Sequence, residues 1–335
     1  MGTIILFILS IFCFKNEKPV LKAFHLLGYA QGTTYHITYY ARDSVITIKQ
    51  TDSILKILDN SLSIYKPNSL ISQFNNSDKG ITMDKHLKFV VKKSFRIFKE
   101  TQGGFDITVN PLVNAWGFGP QKISSFPDSA LIKSILPCVG SQKLNMEGMS
   151  LKKDVSCLKI DVNGIAQGYS VDVLAKFLES KKIKTYLVEI GGEIRIKGKK
   201  PNNELMKIGI ESPNAKGGLD ISEKIIRIKK GAVTTSGNYR KFALYGKTKI
   251  SHLIDPKTGY PVQNEMISVT IIAKDAITAD GYDNALMNMG LDKSFSLLKS
   301  HKGLEAYFIY HKPDGSVADT ATAGFYKYVS KTKNN

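Results

Sequence analysis

Hydrophobic and polar positions along this chain follow two periods, and the segments that they predict are strands mixed with helices. Apolar and polar residues alternate over Thr33–Tyr40, which is typical of a strand. Apolar residues recur at helical spacing over Asp52–Ser63 and over Lys85–Thr101, where the pair Gly103–Gly104 ends the second helix. The uncharged, β-branched run Met266–Ala273 predicts a buried strand.

The second half of the chain continues this mixture. Leu158–Val162 predicts a strand that leads into a helix over SVDVLAKFLES. Gly191–Gly192 interrupts the next strand pattern and indicates a bulge or a close backbone approach to a ligand. Further strands are predicted at Ile225–Ile228, Ala232–Thr234 and Glu305–Tyr310. Because strands and helices do not alternate strictly, the predicted fold class is α+β, with mixed sheets and helices to one side.

Three polar segments between these elements are predicted to be loops. The run LSIYKPNSLISQFNN exposes Tyr65 and Phe74, and the run FDITVNPLVNAWGFGP carries Trp116, the only tryptophan. A tryptophan in such a loop is either a core anchor or a binding residue. The hydroxyl-rich run Thr234–Asn238 predicts a turn.

Oxygen-bearing side chains crowd the predicted start of a helix after the buried strand. Asp280, Asp283 and Asn284 stand at i, i+3 and i+4, so they can face one point in space. Carboxylates and other oxygens at such spacing hold a hard cation such as Mg²⁺ beside a substrate phosphate. Asp and Asn also cap helices, and spacing alone does not separate these two interpretations.

Composition limits the classes of partner. The chain has 335 residues and a formal net charge of +18, which raises nucleic acid or an anionic membrane as partners. The lysines are scattered, however, without the interleaved aromatic residues of an RNA-binding sheet. We therefore expect a solvated basic surface and no nucleic-acid partner.

The N-terminus suggests export. The apolar run Ile4–Phe12 is too short to span a bilayer, suits a signal peptide and is followed by Cys13, a candidate for lipidation. We expect an export signal and tether over residues 1–22, followed by one domain over residues 23–330. Cys138 and Cys157 do not suffice for a disulfide framework or a metal site and are expected to be small buried hydrophobic residues.

Eight sequence blocks together resemble the FAD:protein FMN transferases of the ApbE family. They are GTTYHITYY, LSIYKPNSLISQFN, FDITVNPLVNAWGFG, DVNGIAQGYSVD, IGGEIRIKG, AVTTSGNYRKF, SHLIDPKTGYP and ADGYDNALMNMG, and they occur in family order from Gly32 to Gly290. The resemblance implies two intertwined subdomains around a flavin-binding cleft. It also implies an enzyme that uses FAD as substrate and Mg²⁺ as cofactor to attach FMN to a threonine hydroxyl of an acceptor protein, releasing AMP.

The resemblance assigns roles residue by residue. His252 matches the base that activates the acceptor hydroxyl, a role that suits an imidazole. The metal positions are Gly164, through its backbone carbonyl, together with Asp280 and Asn284. Asp283 stands where the family has a less constrained residue, but it is close enough to add a ligand. The flavin-pocket positions are Tyr65, Trp116, Gly117, Phe118, Asp161, Gln167 and Ile254.

Two positions depart from the family pattern. Asn284 stands where a metal-binding threonine is usual, and Gln167 replaces a frequent lysine. The alternatives within the same pocket are a metal-dependent FAD pyrophosphatase and a flavin-binding lipoprotein without catalysis. Together with the N-terminus, the resemblance implies an exported bacterial cell-envelope protein, anchored to the membrane and facing the periplasm, whose partners are FAD and proteins with a threonine flavinylation motif.

Overall fold

A computed structural model describes residues 20–121, 123–213, 219–238, 242–245 and 248–329. The candidate signal and Cys13 therefore lie outside the described residues. The described strands are β1 Lys22–Ala30, β2 Thr33–Ala41, β3 Gly80–Thr82, β4 Leu144–Glu147, β5 Ser150–Lys153, β6 Tyr186–Ile190, β7 Glu193–Lys197, β8 Met206–Pro213, β9 Leu219–Ile228, β10 Lys230–Gly237, β11 Phe242–Tyr245, β12 Thr248–Ser251, β13 Met266–Ala273, β14 Glu305–His311 and β15 Val317–Ala321. The α-helices are α1 Ile48–Leu62, α2 Leu70–Asn76, α3 Lys85–Glu100, α4 Asn110–Ala115, α5 Ser129–Ile135, α6 Asn163–Ser180, α7 Ala276–Met289 and α8 Leu291–Ser300.

One large antiparallel sheet organises the described chain. Its strand order is β1-β2-β6-β7-β10-β13-β14-β15, so strands distant in sequence become neighbours. Helices α1, α3, α6 and α7 bury one face of this sheet, and the opposite face packs on the β8–β9 hairpin and Phe325. Every residue of β13 is buried, which confirms the strand predicted there. The α+β class predicted from the sequence is confirmed.

A smaller apolar cluster stands apart from the two faces of the sheet. It joins Leu112 of α4 and Trp116 to Ile132 of α5, and it also contains Val139, Ile250 and Ile254. Trp116 donates its indole N–H to the Gly259 carbonyl at 2.8 Å. The turn closed by the bond from the Gly259 N–H to the Asp255 carbonyl is thereby fixed against the end of α4.

Helices α6 and α7 meet at Gly168. A Cβ atom there would lie 2.5 Å from the Ala276 carbonyl oxygen and 2.7 Å from the Cβ of Asp280. Only glycine allows this approach of two backbones. The crossing sets the distance between the start of α6 and the acidic side chains of α7.

Three predictions of local structure are wrong, each because a contact distant in sequence was decisive. Leu158–Val162 is not a strand, since the Asn75 side chain binds both the N–H and the carbonyl of Ile160. Phe74 lies on α2 and is fully buried. The run Thr234–Asn238 continues β10 through Gly237, paired with β13, rather than forming a turn.

Two further segments also differ from expectation. Gly191 and Gly192 form the two-residue turn of the β6–β7 hairpin, where both have positive φ, instead of a bulge within one strand. The run FDITVNPLVNAWGFGP is largely helical, since it contains the 3-10 turn Ile107–Val109 and then α4.

The expectation for two cysteines is also wrong. Cys138 and Cys157 form a disulfide with a Cα–Cα distance of 5.4 Å, and Cys157 is exposed. The β4–β5 hairpin lies between them and brings its flanking segments together, as the bond from the Asp154 N–H to the Lys143 carbonyl shows. The two cysteines are nineteen residues apart in sequence, so the sequence alone does not show that they are close in space.

None of the helices within the described ranges has both the length and the apolar character that crossing a membrane requires.

Candidate active site

The acidic residues of α7 lie in the body of the helix and do not cap it. The helix begins at Ala276, and Asp275 is the N-cap that accepts from the Thr278 N–H. Asp172 of α6 accepts from the N–H groups of Ala276 and Ile277, both at 3.0 Å. Since those two carboxylates satisfy the helix start, the capping interpretation of Asp280 and Asp283 is wrong.

Asp280, Asp283, Asn284 and Gly164 come together at one point. The Asn284 amide nitrogen lies 3.3 Å from the Gly164 carbonyl oxygen, 3.0 Å and 3.3 Å from the carbonyl and carboxylate oxygens of Asp280, and 3.0 Å from the Asp283 carboxylate. The four residues predicted to hold the metal therefore converge from the start of α6 and the middle of α7.

Burial makes the charged forms of the Asp280 and Asp283 carboxyl groups energetically unfavourable. Asp280 is 3% exposed and Asp283 is 1% exposed. Burial raises the pKa of Asp280 to about 7 and raises the pKa of Asp283 well above its ordinary value, with the charge of Asp280 as the second cause for Asp283. Adjacent buried carboxylates with convergent oxygens fit a hard divalent cation, which would neutralise them.

Two residues that sequence reasoning did not single out hold this cluster in place. The Gly168 N–H donates to the Asp280 carboxylate at 2.8 Å. The Ser236 hydroxyl donates to the Asn284 amide oxygen at 3.4 Å. The available signals were the second glycine four residues after Gly164, and a strand alternation that places Thr234 and Ser236 on one face of β10.

Tyr65 lies close to Asp161 and Asn163 at the start of α6. Tyr65 is 59% exposed, as predicted, in the turn between α1 and α2. Burial of its hydroxyl and the nearby charge of Asp161 raise the pKa of Tyr65, while a hydrogen bond with Asn163 lowers it. Asp161 itself is buried and accepts from the Asn163 N–H at 2.8 Å. The two predicted flavin contacts thus share one patch.

A second patch joins His252 to the aromatic turn after α4. Gly117 has a φ of +78°, and this turn places Phe118 against His252, with ring centroids 6.3 Å apart in an edge-to-face arrangement. Trp116 and Ile254 are buried in the smaller apolar cluster behind them. Trp116 is therefore a core anchor of this wall, and its neighbours Gly117 and Phe118 shape the surface beside the half-buried His252.

Gln167 contacts backbone rather than the acidic cluster. Its amide nitrogen lies 3.4 Å from the Gln31 carbonyl in the turn between β1 and β2. It also lies beside Gly191 of the β6–β7 turn. The amide at this position is thus held between two hairpin turns.

Comparison with known proteins agrees with this arrangement. Residues 31–308 match the ApbE family. The FAD:protein FMN transferase of Vibrio cholerae serotype O1 is 34% identical over 322 residues, which cover 94% of this chain and 95% of that protein. The FAD:protein FMN transferase of Escherichia coli K12 is 34% identical over 299 residues, covering 86% and 84% of the two chains.

Solved structures agree as well. The flavin transferase ApbE from Vibrio cholerae superposes with a TM-score of 0.83 at 34% identity, covering 92% of this chain and 100% of that one. The flavinyl transferase ApbE of Pseudomonas stutzeri, in its apo form, gives a TM-score of 0.82 at 31% identity, covering 92% and 97%. The family resemblance drawn from the eight sequence blocks is confirmed, and the chain belongs to the ApbE family.

Proposed function

We propose that this chain transfers FMN from FAD to a threonine hydroxyl of an acceptor protein. The observation that carries the proposal is the convergence of Gly164, Asp280, Asp283 and Asn284 on one point. The names of its relatives, FAD:protein FMN transferases, support the same reaction.

The transfer exchanges one phosphate bond for another. The acceptor oxygen forms a bond to the phosphorus of the FMN half of FAD, the bond from that phosphorus to the bridging oxygen breaks, and AMP leaves. The acceptor proton must be removed as the hydroxyl attacks, and His252 is the residue assigned to accept it. The Phe118 ring packs edge-to-face on the imidazole and restricts its orientation.

Gly164, Asp280, Asp283 and Asn284 would hold Mg²⁺, which supplies neutralisation of charge on the phosphate oxygens. The Gly168 N–H fixes one oxygen of Asp280, which leaves its other oxygen directed at the site. Tyr65, with Asp161 beside it, and Phe118 offer contacts for the flavin and adenine portions of FAD.

We propose that the transferase domain, residues 23–330, acts after export, with residues 1–22 as signal and tether. The Cys138–Cys157 disulfide supports this, because disulfides persist in oxidising compartments such as the bacterial periplasm. Membrane anchoring through lipidated Cys13 is part of the same proposal, and intact mass measurement of the protein from membranes tests it.

The test of transfer is mass spectrometry of an acceptor protein carrying a threonine flavinylation motif, after incubation with this protein, FAD and Mg²⁺. We expect the acceptor to gain FMN less one water, and His252→Ala to lower the rate by about 100-fold or more. His25→Ala is the matched control, because His25 is an exposed histidine of β1 bonded to Thr38.

Each alternative outcome has its own meaning. Free FMN and AMP without an acceptor adduct would replace the transferase by a pyrophosphatase. Bound but unchanged FAD would indicate a flavin carrier. Equal rates for His252→Ala and His25→Ala would remove His252 as the base.

A further inference from the structure

The nitrogen and the oxygen of the Asn284 side-chain amide contact different kinds of partner. Every atom named above around its nitrogen is a hydrogen-bond acceptor, namely two backbone carbonyls and two carboxylates. An amide oxygen at this place would face only other acceptors, so the nitrogen, with its two N–H donors, faces the acidic cluster. On the other side, the amide oxygen accepts from the Ser236 hydroxyl.

A cation at this point requires the reverse orientation. Metal ions of this class bind oxygen, and an N–H pointing at a cation would be repelled. A half-turn of the Asn284 amide exchanges its oxygen and nitrogen without moving the backbone. The Ser236 hydroxyl suits both orientations, because a hydroxyl donates to the amide oxygen in one and accepts from the amide nitrogen in the other.

We propose that Asn284 is a two-position side chain whose N–H group stands in for the cation in the metal-free protein, and that it turns to ligate the cation through oxygen. Ser236 is the positioning residue that supports both states. This inference rests on the proposed cation site and adds a specific property of this chain, since a threonine at 284 has no such N–H group.

Two consequences follow for binding. The hydrogen bonds from Asn284 to Asp280 and Asp283 must break before the cation enters, so they weaken its affinity. The same bonds compensate two buried carboxylates when the cation is absent. The chain therefore exchanges metal affinity for stability of its metal-free form.

Calorimetric titration with Mg²⁺ alone, without FAD, tests the first consequence. We expect Asn284→Thr to bind Mg²⁺ roughly tenfold more tightly, which corresponds to about 1.4 kcal/mol. Ser236→Ala should bind about tenfold more weakly, as outer-shell changes do. Thr235→Ala is the matched control, because Thr235 is the adjacent β10 residue and bonds to Thr270 on the opposite face.

NMR of the side-chain amide provides a second readout on the unaltered binding site. With ¹⁵N-labelled asparagine, the Asn284 amide signals are identified by their loss in Asn284→Thr. We expect these signals to move on saturation with Mg²⁺ as the N–H group leaves the carboxylates for Ser236.

The outcomes separate the two proposals. Mg²⁺ binding with unmoved Asn284 signals, or with unchanged affinity in both Asn284→Thr and Ser236→Ala, would overturn the amide rotation and leave the cation site standing. Absence of binding by the natural chain, or binding that Asp280→Ala does not weaken, would overturn both.

Discussion

Replacing Gly168 by alanine tests whether the crossing of α6 and α7 positions the site. A methyl group at 168 would lie 2.5 Å from the Ala276 carbonyl oxygen and 2.8 Å from the carbonyl carbon of the same residue. Both atoms belong to the backbone of α7, so no rotation of a side chain relieves the overlap. The two helices must separate, and the Gly168 N–H then moves away from Asp280, to which it donates at 2.8 Å.

Three contributions determine how far Gly168→Ala lowers the free energy of unfolding. Overpacking at a buried contact costs about 1–3 kcal/mol. Loss of a hydrogen bond to a charged group costs about 1.5–3 kcal/mol. Alanine recovers about 1 kcal/mol, since it favours a helix more than glycine does. We therefore expect the free energy of unfolding to fall by about 1.5–5 kcal/mol. The transfer rate at limiting Mg²⁺ should fall about 10-fold or more.

Urea denaturation followed by circular dichroism measures the first quantity, and acceptor mass spectrometry measures the second. Gly281→Ala on α7 is the matched control, because the added methyl would meet the ends of the Ile97 and Ile165 side chains, at 2.4 Å and 3.1 Å, rather than backbone. Those side chains can repack, so its effect should be smaller. If Gly168→Ala were as stable and active as Gly281→Ala, the crossing would not position Asp280.

Two further predictions concern stability. Asp172→Ala should lower the free energy of unfolding by about 2 kcal/mol in urea denaturation, because the N–H groups of Ala276 and Ile277 lose their acceptors at a buried helix start; an unchanged midpoint would refute that role. Changing Cys138 and Cys157 together to serine should cost about 3 kcal/mol for a loop of this length; the control is reductant, which should lower the unfolding temperature of the natural chain and leave the variant unaffected.

Much of the fold follows from periodicity within short segments. β2, α1, α3 and β13 were all predicted within a few residues, since each has one apolar face or is buried throughout. Leu158–Val162 alternates apolar and charged residues as a strand would, but it has no partner strand within the described part of the chain. Its backbone forms hydrogen bonds with the Asn75 side chain instead, and no local sequence pattern predicts that contact.

The candidate site likewise contains residues that the sequence predicts and residues that it does not. Asp280, Asp283 and Asn284 were found because helical spacing places them on one face of a single helix. Gly168 and Ser236 were missed because they come from other elements and act through tertiary contacts. The start of α7 was predicted at Asp280, too late in the chain, and half of its actual capping comes from Asp172, more than a hundred residues away in sequence.

The cost of the α7 cluster argues that the fold retains it for a ligand. Burial raises the pKa of both carboxyl groups, the charge of Asp280 raises that of Asp283 further, and apolar residues of similar volume at such positions are often neutral or stabilising. The structure nevertheless surrounds them with dedicated partners, including the N–H of a glycine that no other residue could replace at that crossing. Such partners fix the direction of the carboxyl oxygens. Oxygens aimed at one point in a dry interior are suited to holding a cation, which would keep the carboxyl groups charged, and a phosphate beside it.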